Sequence, residues 1–178
     1  MKFISFLHNK EAKYGVINDN LITDLTGKIL DAKTLKELIQ KKGISNAKKY
    51  ATENPGNIKL DQIEYLPLIP NPGKIICVGL NYSEHVKETN RTVEENPVIF
   101  HRFPESQTAH QQPIQRPIAS QSLDYEGEMA VIMDEAGKHV DPKDALKHII
   151  GYSCYNESTI REWQRHTRQF GMGKNFEK

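Results

Sequence analysis

The sequence predicts an α+β, β-rich fold, and three observations carry that reading. Apolar runs of strand length outnumber helical patterns along the 178-residue chain. The longest, residues 123–133, alternates as a strand does, with Glu126, Glu128, Ala130 and Ile132 on one face and Tyr125, Met129, Val131 and Met133 on the other. Helical spacing is confined to short stretches, set apart from these runs by Gly, Pro, Asn and Asp.

Taken in order, residues 2–7, 14–17 and 21–25 read as short strands punctuated by Gly15, Asn18 and Asp19. Residues 33–42 read as a helix, because Leu35, Leu38 and Ile39 share one face, and Gly43 is its expected stop. Residues 45–57 are polar, with little periodicity. Pro67, Pro70 and Pro72 make residues 67–73 a connector that neither a helix nor a central strand tolerates. A boundary is placed there, separating a small module (1–70) from a second domain (71–178). Residues 74–80 form a continuous apolar run, expected as a strand buried on both faces. Short extended pieces follow between Pro97 and Pro117. Asp141-Pro142 opens a short helix to about residue 149, residues 151–156 read as a strand, and residues 159–169 as a helix with Thr159 and Glu162 at capping-box spacing.

Lys and Arg nearly balance Asp and Glu, 24 against 23, without basic clustering, so no nucleic-acid or membrane partner is expected. No apolar run has the length of a bilayer span, and the N-terminal apolar patch is shorter than a signal-peptide core. The expectation is a cytoplasmic protein. Cys77 and Cys154 lie in apolar runs and are expected as buried thiols rather than a bridge.

Glu126 and Glu128 place two carboxylates side by side among apolar neighbours. Ionised together in a half-buried setting they need a proton or a cation between them, and a hard metal ion is one resolution. Alternating acids on a solvent-facing strand are the other reading. Glu157 adds a third carboxylate at a strand end, as a ligand or as an acid favoured by a helix N-terminus. Three carboxylates without a Cys/His set favour Mg²⁺ or Mn²⁺ over zinc, with Ca²⁺ a further candidate. His85 and Glu88, three apart just after the 74–80 run, form either a dyad in which Glu88 raises the basicity of the imidazole or a solvated turn. Arg161 and Gln164 share a helix face. They either present a guanidinium and an amide to a substrate carboxylate or continue a solvated stripe with Arg165 and Arg168. Lys174 is either a partner for a developing enolate or a solvated lysine.

Taken together, residues 74–85, residues 123–132, Gly151-Tyr152 with Asn156, the Arg161/Gln164 pair and Gly173-Lys174 resemble, in order, the motifs of the fumarylacetoacetate hydrolase family. The resemblance is strongest over residues 74–178, and residues 1–70 look like the small N-terminal α/β module of bacterial members. It implies a mixed β-sandwich roll and a homodimer. It further implies that Glu126, Glu128 and Glu157 bind Mg²⁺ or Mn²⁺, that His85 and Glu88 match the dyad of the acylpyruvase-like branch, and that Arg102, Arg161, Gln164 and Lys174 face substrate. Two departures stand out. Glu157 occupies the place of an Asp, which pushes its carboxylate outward by about 1.5 Å, and Arg102 stands where many relatives carry Lys. Relatives also continue for about another hundred residues, a domain-scale length, so residues 71–178 are expected to be the N-terminal portion of the catalytic domain.

The function implied is a metal-dependent hydrolase or decarboxylase that cleaves a C–C bond of a 2-oxo acid or 1,3-diketo acid through an enolate. The alternatives are a dienedioate isomerase, which passes through the same enolate, and a non-catalytic binding or assembly protein that keeps the fold after losing turnover.

Overall fold

The computed structural model describes residues 1–82 and 95–177. His85 and Glu88 lie outside the described residues. The chain contacts divide into two compact units, Met1–Asn71 with Thr108–Pro113 and Gly127–Tyr155, and Pro72–Gln107 with Ile114–Glu126 and Asn156–Lys178.

In the first unit, β1 (Lys2–His8), β2 (Glu11–Asn18) and β3 (Leu21–Asp24) form an antiparallel meander. Its turns are tight enough to hold Asn9, Lys10, Asp19 and Asn20 at positive φ, a conformation that Asn and Asp tolerate. Two-residue strands β4 (Ile58–Lys59) and β5 (Glu64–Tyr65) extend the sheet to the order β4-β3-β2-β1-β5. Alternation places Ile4, Phe6 and Ile22 on one buried face. Tyr14 and Val16 pack on the other, with Leu25 and the helix α1 (Leu35–Gln40).

Helix α1 starts where Thr34 accepts a hydrogen bond from the Glu37 amide at 3.1 Å, and it buries the expected Leu35, Leu38 and Ile39. It stops just before Gly43, as expected. The left-handed residue is Lys42 (φ 54°), not Gly43. Gly43 donates to the Leu38 carbonyl at 2.9 Å, and a Cβ there would stand 2.6 Å from Leu38 Cδ1, so a larger residue would have to shift the Leu38 side chain. Gly43 also opens a second helix, α2 (Ile44–Glu53), within the stretch the sequence reads as aperiodic. Its buried residues are Ala47 and Ala51, one turn apart, and alanine carries too little apolar weight to mark a face.

The first unit also holds a two-stranded sheet of β9 (Gly127–Met133) and β10 (Ile149–Asn156). Before β10, Asp141 caps a 3₁₀ turn at Pro142–His148 by accepting from the Lys143 amide at 3.0 Å. The predicted alternation holds on β9: Met129, Val131 and Met133 are exposed, whereas Ile132 packs against the first core.

In the second unit, β6 (Ile75–Gly79) pairs antiparallel with β7 (Val98–Arg102). Cys77 and Phe100 are buried, but Ile76 is 56% and Val78 41% exposed. The strand is therefore buried on the Cys77 face alone, because among the described residues no layer covers the face that carries Ile76 and Val78. Short strands β8 (Leu123–Asp124) and β11 (Thr159–Ile160) also pair antiparallel. The run at 123–133 is thus two strands, broken at Tyr125 and Glu126. Cys77 is buried and Cys154 exposed, and neither is in a disulfide, so burial of Cys154 is corrected: its alternate position on β10 points outward. Among the described residues no helix is long and apolar enough to cross a membrane.

Candidate metal centre

The break after β8 builds the site. Asp124 pairs with Thr159 in the β8–β11 ladder. Beyond it, Glu126 accepts at its carbonyl from the Glu157 amide (2.8 Å) and donates its own amide to Asn156 Oδ1 (3.0 Å). These bonds, one backbone to backbone and one to the Asn156 side chain, bring together two glutamates thirty-one positions apart. Glu128 follows two residues later on the same side of the extended segment. Glu126, Glu128 and Glu157 each offer one carboxylate oxygen, and these oxygens lie within 4.8 Å of one another. Ligands on opposite sides of a hard cation, each about 2.0–2.6 Å from it, stand up to about 5 Å apart, so the oxygen-only donor set fits such an ion.

Glu157 is 1% exposed, and two cations meet its carboxylate. Arg102, at the end of β7, donates through Nη1 to Glu157 Oε1 and, at 3.0 Å, to the Ser158 carbonyl; its Nε donates to Ser106 Oγ at 3.3 Å. Lys174 donates from Nζ to Glu157 Oε2 and lies 3.1 Å from both oxygens of Glu126. Its ammonium also stands 5.1 Å from the centre of the Phe100 ring, a cation–π distance. Lys174 lies on the short helix α4 (Gly171–Lys174). Gly173 permits its approach, since a Cβ there would stand 2.3 Å from the Gln164 amide nitrogen and 2.5 Å from the Ile160 carbonyl oxygen.

Arg161 and Gln164 lie on the four-residue helix α3 (Arg161–Gln164). Arg161 donates from Nε to Asp124 Oδ2 at 2.8 Å, and its Nη2 is also 2.8 Å from that oxygen. Its Nη1 stands 2.7 Å from Glu126 Oε1 and donates to Gln164 Oε1 at 3.2 Å. The expected longer helix with a Thr159/Glu162 capping box is not formed. Thr159 is committed to the β8–β11 ladder and its hydroxyl donates to the Glu157 carbonyl, while the Glu162 carboxylate accepts from the Ser120 hydroxyl.

The electrostatics follow burial. Burial pushes the Glu157 carboxyl up to about 7, against the opposing pull of Lys174 and Arg102. At Glu126, burial also favours the neutral form, but the Lys174 charge and hydrogen bond and the Arg161 charge outweigh it, leaving the carboxyl below its ordinary range. The Arg161 hydrogen bond holds Asp124 below its ordinary range as well.

The structure therefore brings Glu126, Glu128, Glu157, Arg102, Arg161, Gln164 and Lys174 to one neighbourhood or to its direct partners. Sequence reasoning missed Asp124 and Asn156 as supports. Both stand inside the quoted motifs, Asn156 next to Glu157 and Asp124 two residues before Glu126, and nearness to a proposed ligand is the signal that marks them.

Residues 74–178 match the family profile described as fumarylacetoacetate (FAA) hydrolase C-terminal. Over 136 residues the chain is 35% identical to oxaloacetate tautomerase fahd2, mitochondrial, of Xenopus laevis, covering 75% of this chain and 43% of that protein. Over 121 residues it is 36% identical to the Rattus norvegicus oxaloacetate tautomerase Fahd2a, mitochondrial, covering 67% of this chain and 39% of the relative. Among solved structures, fumarylacetoacetate hydrolase from psychrophilic Exiguobacterium antarcticum matches with a TM-score of 0.76 at 30% identity, over 99% of this chain and 62% of that one. A maleylpyruvate hydrolase from Sphingobium sp. SYK-6, in complex with manganese(II) ion and pyruvate, shares the fold with a TM-score of 0.75 at 20% identity, over 98% of this chain and 63% of that one. The chain spans less than half the length of these curated relatives.

Proposed function

The chain belongs to the fumarylacetoacetate hydrolase family, and on that premise we propose that it carries the metal-binding part of an enzyme that draws an enolate from a small 2-oxo acid. The observation that carries this reading is the approach of the Glu126, Glu128 and Glu157 carboxylates to one another beside a buried lysine. Family relatives named as hydrolases, isomerases and tautomerases of small organic acids support it.

Bound to the three glutamates, Mg²⁺ or Mn²⁺ would supply Lewis acidity toward the 2-oxo-carboxylate unit. Arg161, 25% exposed at the edge of the carboxylate cluster, offers a guanidinium for the substrate carboxylate, and Gln164 helps orient it. Lys174 provides positive charge where the enolate oxygen develops. To reach it, Lys174 exchanges one of its carboxylate contacts for the substrate oxygen. The Nε and Nη1 of Arg102 are engaged by Ser106, Glu157 and Ser158, so we assign it to holding Glu157 rather than to touching substrate.

The finer reading is hydrolytic C–C cleavage of an acylpyruvate-type acid, which needs a base to activate water; His85, oriented by Glu88, takes that part. Interconversion of the keto and enol forms of oxaloacetate is the second reading, favoured by the similarity to two oxaloacetate tautomerases. One assay separates them. Acylpyruvates and oxaloacetate are each followed with and without Mn²⁺, for the parent protein and His85→Ala. Metal-dependent acylpyruvate cleavage that His85→Ala abolishes supports the finer reading, metal-dependent oxaloacetate tautomerisation alone supports the second, and absence of metal-dependent turnover on either substrate contradicts both.

A further inference from the structure

Asp124 is assigned no role by the acid–base and ligand chemistry above, yet it controls the guanidinium at the edge of the site. One of its oxygens, Oδ2, takes both the Nε and the Nη2 of Arg161 at 2.8 Å. Its other oxygen accepts from the Tyr125 amide at 2.9 Å, and its backbone is held in the β8–β11 ladder opposite Thr159. Asp124 is therefore fixed at both ends before it meets Arg161. A guanidinium is planar, so anchoring Nε and Nη2 sets the plane and leaves one edge, Nη1, to face outward from the anchor. That edge is the one 2.7 Å from Glu126 Oε1 and 3.2 Å from Gln164 Oε1.

We propose that Asp124 is a positioning residue that aims the Nη1 edge of Arg161 at the carboxylate of a bound 2-oxo acid. Without it, Arg161 retains its charge and its contact with Glu126, but the plane of the guanidinium is no longer fixed. This inference rests on the proposed function for the identity of the ligand, while the Asp124–Arg161 geometry stands without it.

The test uses Asp124→Asn, which preserves size and the strand pairing, together with Arg161→Gln and the double variant. In the ligand-free protein, the Arg161 Nε–H resonance is identified by its loss in Arg161→Gln. It should move to the position of a solvated arginine in Asp124→Asn, and an unmoved resonance overturns the proposal whatever the protein binds. Mn²⁺ affinity and oxalate affinity at saturating Mn²⁺ are then measured by calorimetry. We expect unchanged Mn²⁺ binding, oxalate binding weakened about tenfold in Asp124→Asn, as befits loss of a charge-assisted contact, and no further loss when Asp124→Asn is added to Arg161→Gln. Parent-like oxalate affinity in Asp124→Asn, additive losses in the double variant, or loss of Mn²⁺ in Asp124→Asn overturns the proposal. A parent protein that binds neither Mn²⁺ nor oxalate instead contradicts the proposed function, and the resonance still decides the Asp124–Arg161 relationship.

Discussion

The ammonium of Lys174 lies 3.1 Å from both carboxylate oxygens of Glu126 and also donates to Glu157, with 1% of the lysine side chain exposed. A cation buried between two acids acts as an internal counter-ion, and taking it away leaves charge uncompensated in a low dielectric. Lys174→Met is therefore expected to lose about 3–5 kcal/mol of stability without metal. Added Mn²⁺ should recover part of that loss, because it supplies positive charge to the same oxygens. Urea denaturation with and without Mn²⁺ measures both. A loss below about 1 kcal/mol, the range of an exposed ion pair, would contradict the counter-ion role.

Arg102 provides a second test of how the ligands are held. Its contacts are to Glu157, Ser158 and Ser106, so Arg102→Gln should weaken Mn²⁺ binding by about tenfold, the usual cost of losing a partner that orients a metal ligand. Oxalate affinity at saturating Mn²⁺ should then stay close to the parent value. The reverse pattern, normal Mn²⁺ binding with lost oxalate binding, would return Arg102 to the substrate.

Alkaline stability tests the core of the first unit. Burial, reinforced by the negative charges of Asp24 and Glu37, pushes the Tyr14 hydroxyl up to about 12 from its ordinary 10.0. Between those values the folded chain keeps a proton that the unfolded chain has released. Stability from this group is therefore full below pH 10 and falls as pH rises toward 12, by up to about 2–3 kcal/mol. Comparing urea midpoints from pH 9.5 to 11.5 should show a steeper fall for the parent than for Tyr14→Phe. Parallel curves would show that Tyr14 does not remain protonated in the fold.

Much of this architecture was legible because the relevant signals are strong and local. Glu126, Glu128 and Glu157 carry charge where a half-buried strand cannot easily accept it, and Leu35, Leu38 and Ile39 mark a helix by spacing alone. What escaped was weak or depended on partners distant in the chain. Helix α2 buries only Ala47 and Ala51, whose methyl groups leave little periodic trace. Thr159 had a plausible local partner in Glu162, but the ladder with Asp124 and the Ser120 hydroxyl took the two residues in different directions. Tyr125 and Glu126 gave no sign of the break between β8 and β9, since alternation of side chains continues through it even though the two strands pair with different partners. The burial of Ile76 and Val78 was overestimated because an apolar run reports what a strand can bury, not whether a second layer covers its other face.

The most direct measurement is a Mn²⁺ titration at pH 8, above the value of about 7 to which burial raises Glu157, on the parent protein and on Glu126→Gln, Glu128→Gln and Glu157→Gln. One Mn²⁺ per chain is expected for the parent, followed by electron paramagnetic resonance of the free ion, and each substitution should weaken binding by about tenfold or more, since each removes an anionic oxygen from the ligand set. A parent protein that binds no Mn²⁺, or a Glu157→Gln variant that binds it as tightly as the parent, would contradict a metal centre built from these three glutamates.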